Sequence, residues 1–506
     1  MNKTFLNGNI VLYGEGEWCK NFYKKFSQFY NISEIVYTEN CEEAEKIFQG
    51  INIKTCQQNL YIFEHLHNSK YIVCPGPSKM EEHDEFLYSK GYVYGEDYVD
   101  SLHAEYYFRR KIKFHMKDKE VWIFGAGTNG KIFYEKYRDR YNIKGFLSNY
   151  ENEKVYMNLP VLRPTELIGK RKIYIVICSA IETEMAEQLK SYGFEENRCF
   201  SVSKWIGKQL FVGWGACQVY SVYNMLLENS AFEKAYDRIF MFDSKLQECN
   251  HANKQRIYTY GEVCDVLFYN SEGMNNTNEA IVKRFYKEAC VYSIPFYMFK
   301  GQIMQATDEC SKYSLRYENI KNHFAYWFIG DKEIEEMLRK GMSKEEIVLK
   351  VSAVDYWNEK QIQKRWLIEK RKVEMLDRLS SLKISGFLED NYRRIVIFKD
   401  GIHFCKDLCI ELANQLAVLL NLDIIDEEKS KEILEDNCME DKNILPVYPA
   451  VIKVLGMEKR YEKFKYQITH ADGRVEELDF VNYVGCYIDY VKKVDDIREK
   501  CGIRII

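Results

Sequence analysis

The chain is 506 residues long, 46% hydrophobic and 29% charged, which provides for packed cores and, at about 150 residues per domain, for about three domains. That composition excludes disordered, collagen-like and small disulfide-stapled proteins. A formal net charge of −4 gives no long-range pull toward nucleic acid or an anionic membrane, and the basic runs Arg109-Arg110-Lys111 and Arg393-Arg394 are short enough to be solvated faces.

In chain order, the first signal is a duplication. Residues 10–19 and 121–130 each read as a four-residue apolar strand, a Gly-x-Gly turn and the start of a helix. Helical runs at 21–26 and 132–137 follow. The strand at 32–37 corresponds to that at 143–147, and the buried strand at 71–74 to that at 174–178. A helix comes next in each copy and ends at a Ser/Tyr/Gly cluster, 88–92 and 191–194. Continuous apolar strands alternating with helices predict parallel sheets covered on both faces, here two tandem Rossmann-like units at about 1–110 and 111–207.

Glycine at such a turn lets the backbone approach a phosphate while helix N–H groups point at it, which makes Gly14, Gly16, Gly125, Gly127 and Gly130 candidate cofactor-binding residues. Only the second copy completes Gly-x-Gly-x-x-Gly; the first has Cys19 at the third position. The acid that should end the second strand and hold a ribose is replaced by Ser148 or Asn149 in the second copy, and the nearest acid in the first is Glu39, so NAD(P) is not expected. A nucleotide or nucleotide-sugar site, or a tight strand-to-helix turn alone, remain as alternatives. Residues 121–200, with 145–149, 159–167, 175–179 and 187–193 as landmarks, resemble the small Rossmann modules appended to bacterial sugar-modifying and polysaccharide-assembly enzymes, where Asp stands in place of Ser148 or Asn149.

A third strand, turn and helix begins at residue 209 and passes through Gly215-Ala216-Cys217-Gln218. A thiol where a strand hands over to a helix is exposed at the carboxyl edge of the sheet. The helix N-terminus there lowers a thiol pKa and offers N–H groups to an oxyanion. Buried strands are predicted at 263–270, ending in Asn270-Ser271, at 294–301, ending at Gly301, and at 395–398, leading to Asp400-Gly401-Ile402-His403. In this order Cys217 is the candidate nucleophile, His403 the general base and Asp400 its orienting acid. Gly215, Gln218, Asn270 and Gly301 are candidate oxyanion or substrate contacts. The plainer alternative for His403 is a cap on the helix starting near Phe404.

The same order resembles SGNH-type esterases and acyltransferases with Cys in place of Ser, and residues 209–455 resemble the WcbI family of capsular-polysaccharide acetyltransferases. The likeness rests on Gly215-Ala216-Cys217-Gln218, on 264–270, on Ile294-Pro295 to Gly301, on Gly401-Ile402-His403-Phe404, on a closing helix at 408–422 and on the tail 445–449. Ala216 replaces the family's Asn, Asn270 its Gln and Phe404 its Pro. The resemblance implies an SGNH-like α/β domain over 208–506 and O-acyl transfer from acetyl-coenzyme A to a sugar, nucleotide-sugar or polysaccharide hydroxyl. It also implies a setting as a homo-oligomer or within a polysaccharide-assembly complex. Two rival expectations are a non-catalytic nucleotide-sugar-binding or scaffold protein, in which Cys217 and His403 stand well apart, and an esterase with the same residues.

Between the site blocks a helical insertion is predicted, with helices at 331–339 and 356–381 and a capping box at Ser343-Lys344-Glu345-Glu346. Lys364, Arg365, Lys370 and Arg371 are either a solvated face or contacts for coenzyme A phosphates. Residues 467–478 alternate around Asp472-Gly473 and predict a hairpin, with His470 exposed beside the turn. The N-terminal residues lack the apolar core of about 7–15 residues of a signal peptide, and no apolar run approaches the ~18 residues of a membrane span, so a cytoplasmic location is expected. The 16 cysteines then read as reduced thiols. No Cys-x-x-Cys occurs, Cys405 and Cys409 lack a second ligand pair, and no metal site is expected.

Overall fold

The computed structural model describes residues 8–38, 47–55, 70–74, 79–150, 154–242, 251–271, 277–307, 329–435, 445–457, 465–469 and 475–501. It is an α/β protein with three parallel-dominated sheets and many helices. The first sheet holds β1 (Ile10–Gly14), β2 (Ile32–Tyr37), β3 (Ile47–Phe48), β4 (Ile51–Thr55), β5 (Lys70–Cys74) and β6 (Tyr98–Asp100), in the order β3-β4-β2-β1-β5-β6. The second holds β7 (Glu120–Phe124), β8 (Ile143–Leu147), β9 (Val155–Tyr156), β10 (Leu159–Leu162), β11 (Ile173–Ile177) and β12 (Phe200–Val202), in the order β12-β11-β7-β8-β10-β9.

Matched strand for strand, β1 with β7 through β6 with β12, the two orders are the same. Each sheet carries its single antiparallel pair, β3–β4 or β9–β10, at the same edge. Each also slips register at the same place, between Ile10 and Val11 against β2 and between Val121 and Trp122 against β8. The five residues of β1 and of β11 are all buried, as helices on both faces require. The pairs β3–β4 and β9–β10 escaped the sequence reading because strands this short carry little alternation.

The turn glycines have packing reasons. Gly14 (φ +146°) and Gly125 (φ +127°) lie so close to the carbonyls of Cys74 and Cys178 that an added Cβ would stand 2.3 and 2.5 Å from those oxygens, and one on Gly130 would stand 2.0 Å from the carbonyl oxygen of Gly125. In the first unit the expectation of a nucleotide at Gly14 and Gly16 meets two obstacles. The Tyr37 ring lies 3.2 Å from where a Cβ on Gly16 would be. Glu15, 6% exposed, also places a carboxylate beside the helix start, 3.1 Å from His83 Nε2. A phosphate there would meet the Tyr37 ring and the Glu15 carboxylate, which Lys79 Nζ also approaches, at 3.7 Å. Gly127 alone faces open space. Asn149 is paired to Gln188 at 2.9 Å and Ser148 Oγ accepts from the Tyr150 N–H, so both residues at the ribose position have protein partners.

The third sheet is wholly parallel: β13 (Gln209–Gly215), β14 (Tyr236–Phe242), β15 (Val266–Ser271) and β16 (Cys290–Pro295), in the order β14-β13-β15-β16. β14 was not expected; its charged residues Asp237 and Arg238 and its intermediate exposure suit a sheet edge. The predicted strand at 294–301 ends at Pro295, whose ring removes the N–H a longer strand needs, and the chain leaves the sheet there. The predicted strand at 395–398 does not join the sheet, and only Phe398 pairs, in an antiparallel bridge with Phe404.

These sheets are not separate beads, because buried residues from Ile10 to Tyr286 form one continuous apolar cluster. Arg256, on the His251–Tyr260 helix after β14, reaches into the first unit. It pairs with Asp84, Nη2 to Oδ1 at 2.9 Å, and its Nε lies 3.5 Å from Asp100. Tyr94 and Tyr260 donate to Asp100 at 2.6 and 2.7 Å, and Tyr98 donates to Asp84 at 3.0 Å.

The helical insertion is present as Lys332–Arg339, Lys344–Val351 with its Ser343–Glu346 capping box, and Glu359–Asp377. It packs with the Pro449–Leu455 and Phe480–Cys501 helices around a second core. The antiparallel pair β17 (Tyr466–Thr469) and β18 (Val475–Leu478) forms as expected, while His470 and Asp472-Gly473 lie outside the described residues. Among the described residues no helix is long and apolar enough to cross a membrane.

Asp331 caps the first of these helices through the Ile334 N–H (3.0 Å) and accepts from Tyr448 (2.8 Å). Burial pushes its carboxyl up to about 7 against those two hydrogen bonds, with Glu333 and Glu335 adding repulsion. Stability carried by that proton is present below the unfolded value, about 3.9, and is lost as pH rises through about 7. Asp331→Asn is therefore expected to flatten the fall in melting temperature between about pH 4 and 7. An equally steep fall in the variant would refute this.

Candidate active site

β13 ends at Gly215, and the Cys217–Leu227 helix starts after one residue, Ala216. The N-cap residue, Ala216, has no side chain to cap this helix, which leaves its first-turn N–H groups to other acceptors. The chain leaves β13 to form β14 on one side and later β15 on the other. The carboxyl end of β13 is thus the topological switch point, where open α/β sheets bind ligands. Cys217 occupies it, with its side chain partly exposed.

The turn needs glycine at 215, because a Cβ would meet Asn270 Oδ1 at 2.6 Å and Val219 Cγ2 at 2.8 Å. Asn270, on β15, accepts from the Ala216 N–H at 2.7 Å and donates to the Ile294 carbonyl at 3.2 Å. Gln218, 1% exposed, gives its amide hydrogens to the carbonyls of Tyr297 (2.7 Å) and Ile402 (2.6 Å), and its oxygen accepts from the Tyr297 N–H (2.9 Å). The Gln218 amide therefore has both hydrogens engaged, and the Asn270 amide has one engaged by the Ile294 carbonyl. Gln218, expected as an oxyanion or substrate contact, instead ties the Cys217 turn to both the exit of β16 and the His403 loop, while Asn270, expected in the same role, braces the turn through the Ala216 N–H. Gly301 is packed so that a Cβ would meet Phe299 at 2.5 Å and Trp366 at 2.8 Å, which gives it a packing reason of its own.

The His403 loop is a tight reversal. The Phe398–Phe404 bridge and the Lys399 N–H donating to the His403 carbonyl at 3.0 Å close it, and Gly401 turns it with φ +89°. Asp400 Oδ1 accepts from the N–H groups of Ile402 (3.0 Å) and His403 (2.8 Å), and Oδ2 lies 2.6 Å from His403 Nδ1. Nδ1 being taken, Nε2 is left for the Cys217 thiol, which hydrogen-bonds the ring. The helix that follows, Lys406–Leu419, has Cys405 at its N-cap, so His403 is not a helix cap.

Burial of the His403 ring opposes its positive charge, but its hydrogen bonds and electrostatic interactions with Asp400 and Cys217 outweigh it and push the ring up to about 10. Burial likewise acts against the Asp400 carboxylate, and His403 with the loop N–H groups overcomes it, holding the carboxyl below its usual range. The structure therefore joins Cys217, His403 and Asp400 in one hydrogen-bonded line. Sequence reading missed Tyr297, which receives both arms of Gln218. Pro295, as a strand stop, was the signal that the chain turned inward there.

No known family's sequence pattern matches the chain, and no curated protein matches it. Among solved structures, the chain is similar to WcbI, described as a novel polysaccharide biosynthesis enzyme in its native form without a disulfide bond between coenzyme A and a cysteine. That likeness covers 58% of this chain and 93% of the other, at 12% identity and a TM-score of 0.42.

Proposed function

We propose that the protein is an O-acyltransferase that moves an acyl group, acetyl in the family its motifs resemble, from coenzyme A to a sugar hydroxyl in surface-polysaccharide synthesis. Residues 208–506 would form its SGNH-like domain. The observation that carries this reading is the Cys217–His403–Asp400 line at the switch point of the third sheet. A non-catalytic protein has no need of that contact.

The basic ring favours a covalent route. His403 takes the Cys217 proton, and the thiolate attacks the thioester carbonyl while first-turn N–H groups hold the oxyanion. Collapse expels the coenzyme A thiolate, which leaves with the ring's proton. Acylation removes the negative sulfur beside His403, so the neutral ring is less basic than before and takes the proton of the acceptor hydroxyl as it attacks the acyl-enzyme. Collapse of the second intermediate releases the ester and returns the acceptor's proton from His403 to the Cys217 sulfur, restoring the starting state. Intact mass after incubation with acetyl-coenzyme A is expected to show one acetyl adduct that Cys217→Ala abolishes. No adduct, with transfer retained in Cys217→Ala, would overturn the covalent route.

A further inference from the structure

Beside this site lies a cavity of about 420 Å³, within the range of small-ligand pockets. Its apolar wall is Phe296, Met298, Met375 and Leu376, and its charged wall is Lys300, Arg365, Lys372 and Glu369. Glu369, 2% exposed, organises the charged side. Its Oε1 lies 2.8 Å from Lys372 Nζ and 3.5 Å from Arg365 Nε, and its Oε2 accepts from the Lys300 N–H at 3.2 Å. Arg365 and Lys372 stand against this carboxylate, and the buried Lys300 ammonium, which donates to the Ala306 and Thr307 carbonyls, adds a third positive charge behind the wall. Of the four basic residues singled out in the sequence, only Arg365 lines the cavity. Lys372 joins it, Lys364 and Arg371 are exposed, and Lys370 pairs with Glu389.

The cavity abuts the site through two contacts. Tyr297, between the lining residues Phe296 and Met298, is clipped to Gln218, the neighbour of Cys217. The stem of Lys300 lies 3.1 Å from where a Cβ on Gly401 would be, inside the Asp400–His403 loop. The lining also selects among anions. Two methionines adapt to a slim flexible chain, whereas the apolar wall has no hydroxyl or amide side chain to satisfy the hydroxyls of a sugar.

We propose that this cavity binds a phosphate ester with a slim aliphatic arm, the phosphate against Arg365 and Lys372 and the arm along Met298 and Met375. That such a ligand presents an acyl group to Cys217 rests on the acyl-transfer reading; its binding does not. The test is calorimetric titration of the full chain with 4′-phosphopantetheine, farnesyl phosphate and uridine diphosphate-glucose, repeated on Arg365→Ala/Lys372→Ala and on Lys364→Ala/Arg371→Ala as control. At least one of the first two ligands is expected to bind, which identifies its source as an acyl carrier or a lipid. The Arg365/Lys372 variant should bind it about tenfold or more weakly, as loss of charge-assisted phosphate contacts implies, and the control should bind it as the parent does. Full affinity in the Arg365/Lys372 variant, binding of neither aliphatic phosphate, or equal affinity for the nucleotide-sugar would overturn the proposal. Binding as expected with neither an acyl adduct on Cys217 nor acyl transfer to any sugar acceptor would instead defeat the acyl-transfer reading alone.

Discussion

Arg256→Met is expected to destabilise the protein by about 3–5 kcal/mol, because removing one partner of a buried pair strands the other charge. Asp84 is fully buried and Asp100 is 2% exposed, so neither carboxylate can recover its hydration by a rotamer change. Burial already raises the Asp84 carboxyl despite Arg256, while at Asp100 the guanidinium, the Tyr94 hydroxyl and His103 overcome burial and hold it low. Without Arg256, Asp84 should fold protonated and Asp100 should lose its main cationic partner. The loss is read as a lower urea midpoint. Adding Asp84→Asn should recover part of it, since the two changes act on one network. A loss below about 1 kcal/mol in Arg256→Met would show that the first unit and the third sheet are held together by apolar packing alone.

The second large effect concerns catalysis and its pH dependence. In the covalent route the imidazolium of His403 supplies the proton that leaves with coenzyme A. Acylation of Cys217 should therefore fall as pH rises through about 10, where the ring loses its proton. Direct attack by the acceptor, with His403 as a neutral base from the start, predicts the opposite slope. Asp400→Asn removes both the charge and the 2.6 Å partner of Nδ1. It should move the falling limb to lower pH and cost about 10³–10⁴-fold in rate, as loss of the orienting acid does in related triads. Single-turnover acylation followed by mass against pH separates these outcomes, and a rate that rises through about pH 10 would sink the covalent assignment.

Much of the architecture was legible in the sequence, for reasons that are local. The duplicated strand, Gly-x-Gly turn and helix at 10–19 and 121–130 is a pattern of short-range sterics and burial, and it predicted two parallel-sheet units, whose common strand order only the fold reveals. Cys217, His403 and Asp400 were also singled out, since a thiol at a strand-to-helix turn and an Asp-x-x-His are visible as spacing. What the sequence did not settle was which polar groups serve substrate and which serve the fold. Gln218, Asn270 and Gly215 stand beside the nucleophile in the chain or at a strand end, and one-dimensional proximity reads them as site contacts. Only the folded chain shows that both hydrogens of Gln218 go to the carbonyls of Tyr297 and Ile402, 79 and 184 residues away. The same holds for Gly14 and Gly16, whose neighbours Cys74 and Tyr37 come from other strands. Turns and helix starts depend on residues within about one turn of chain, so sequence determines them. Hydrogen-bond satisfaction and steric space depend on distant segments that tertiary packing brings together.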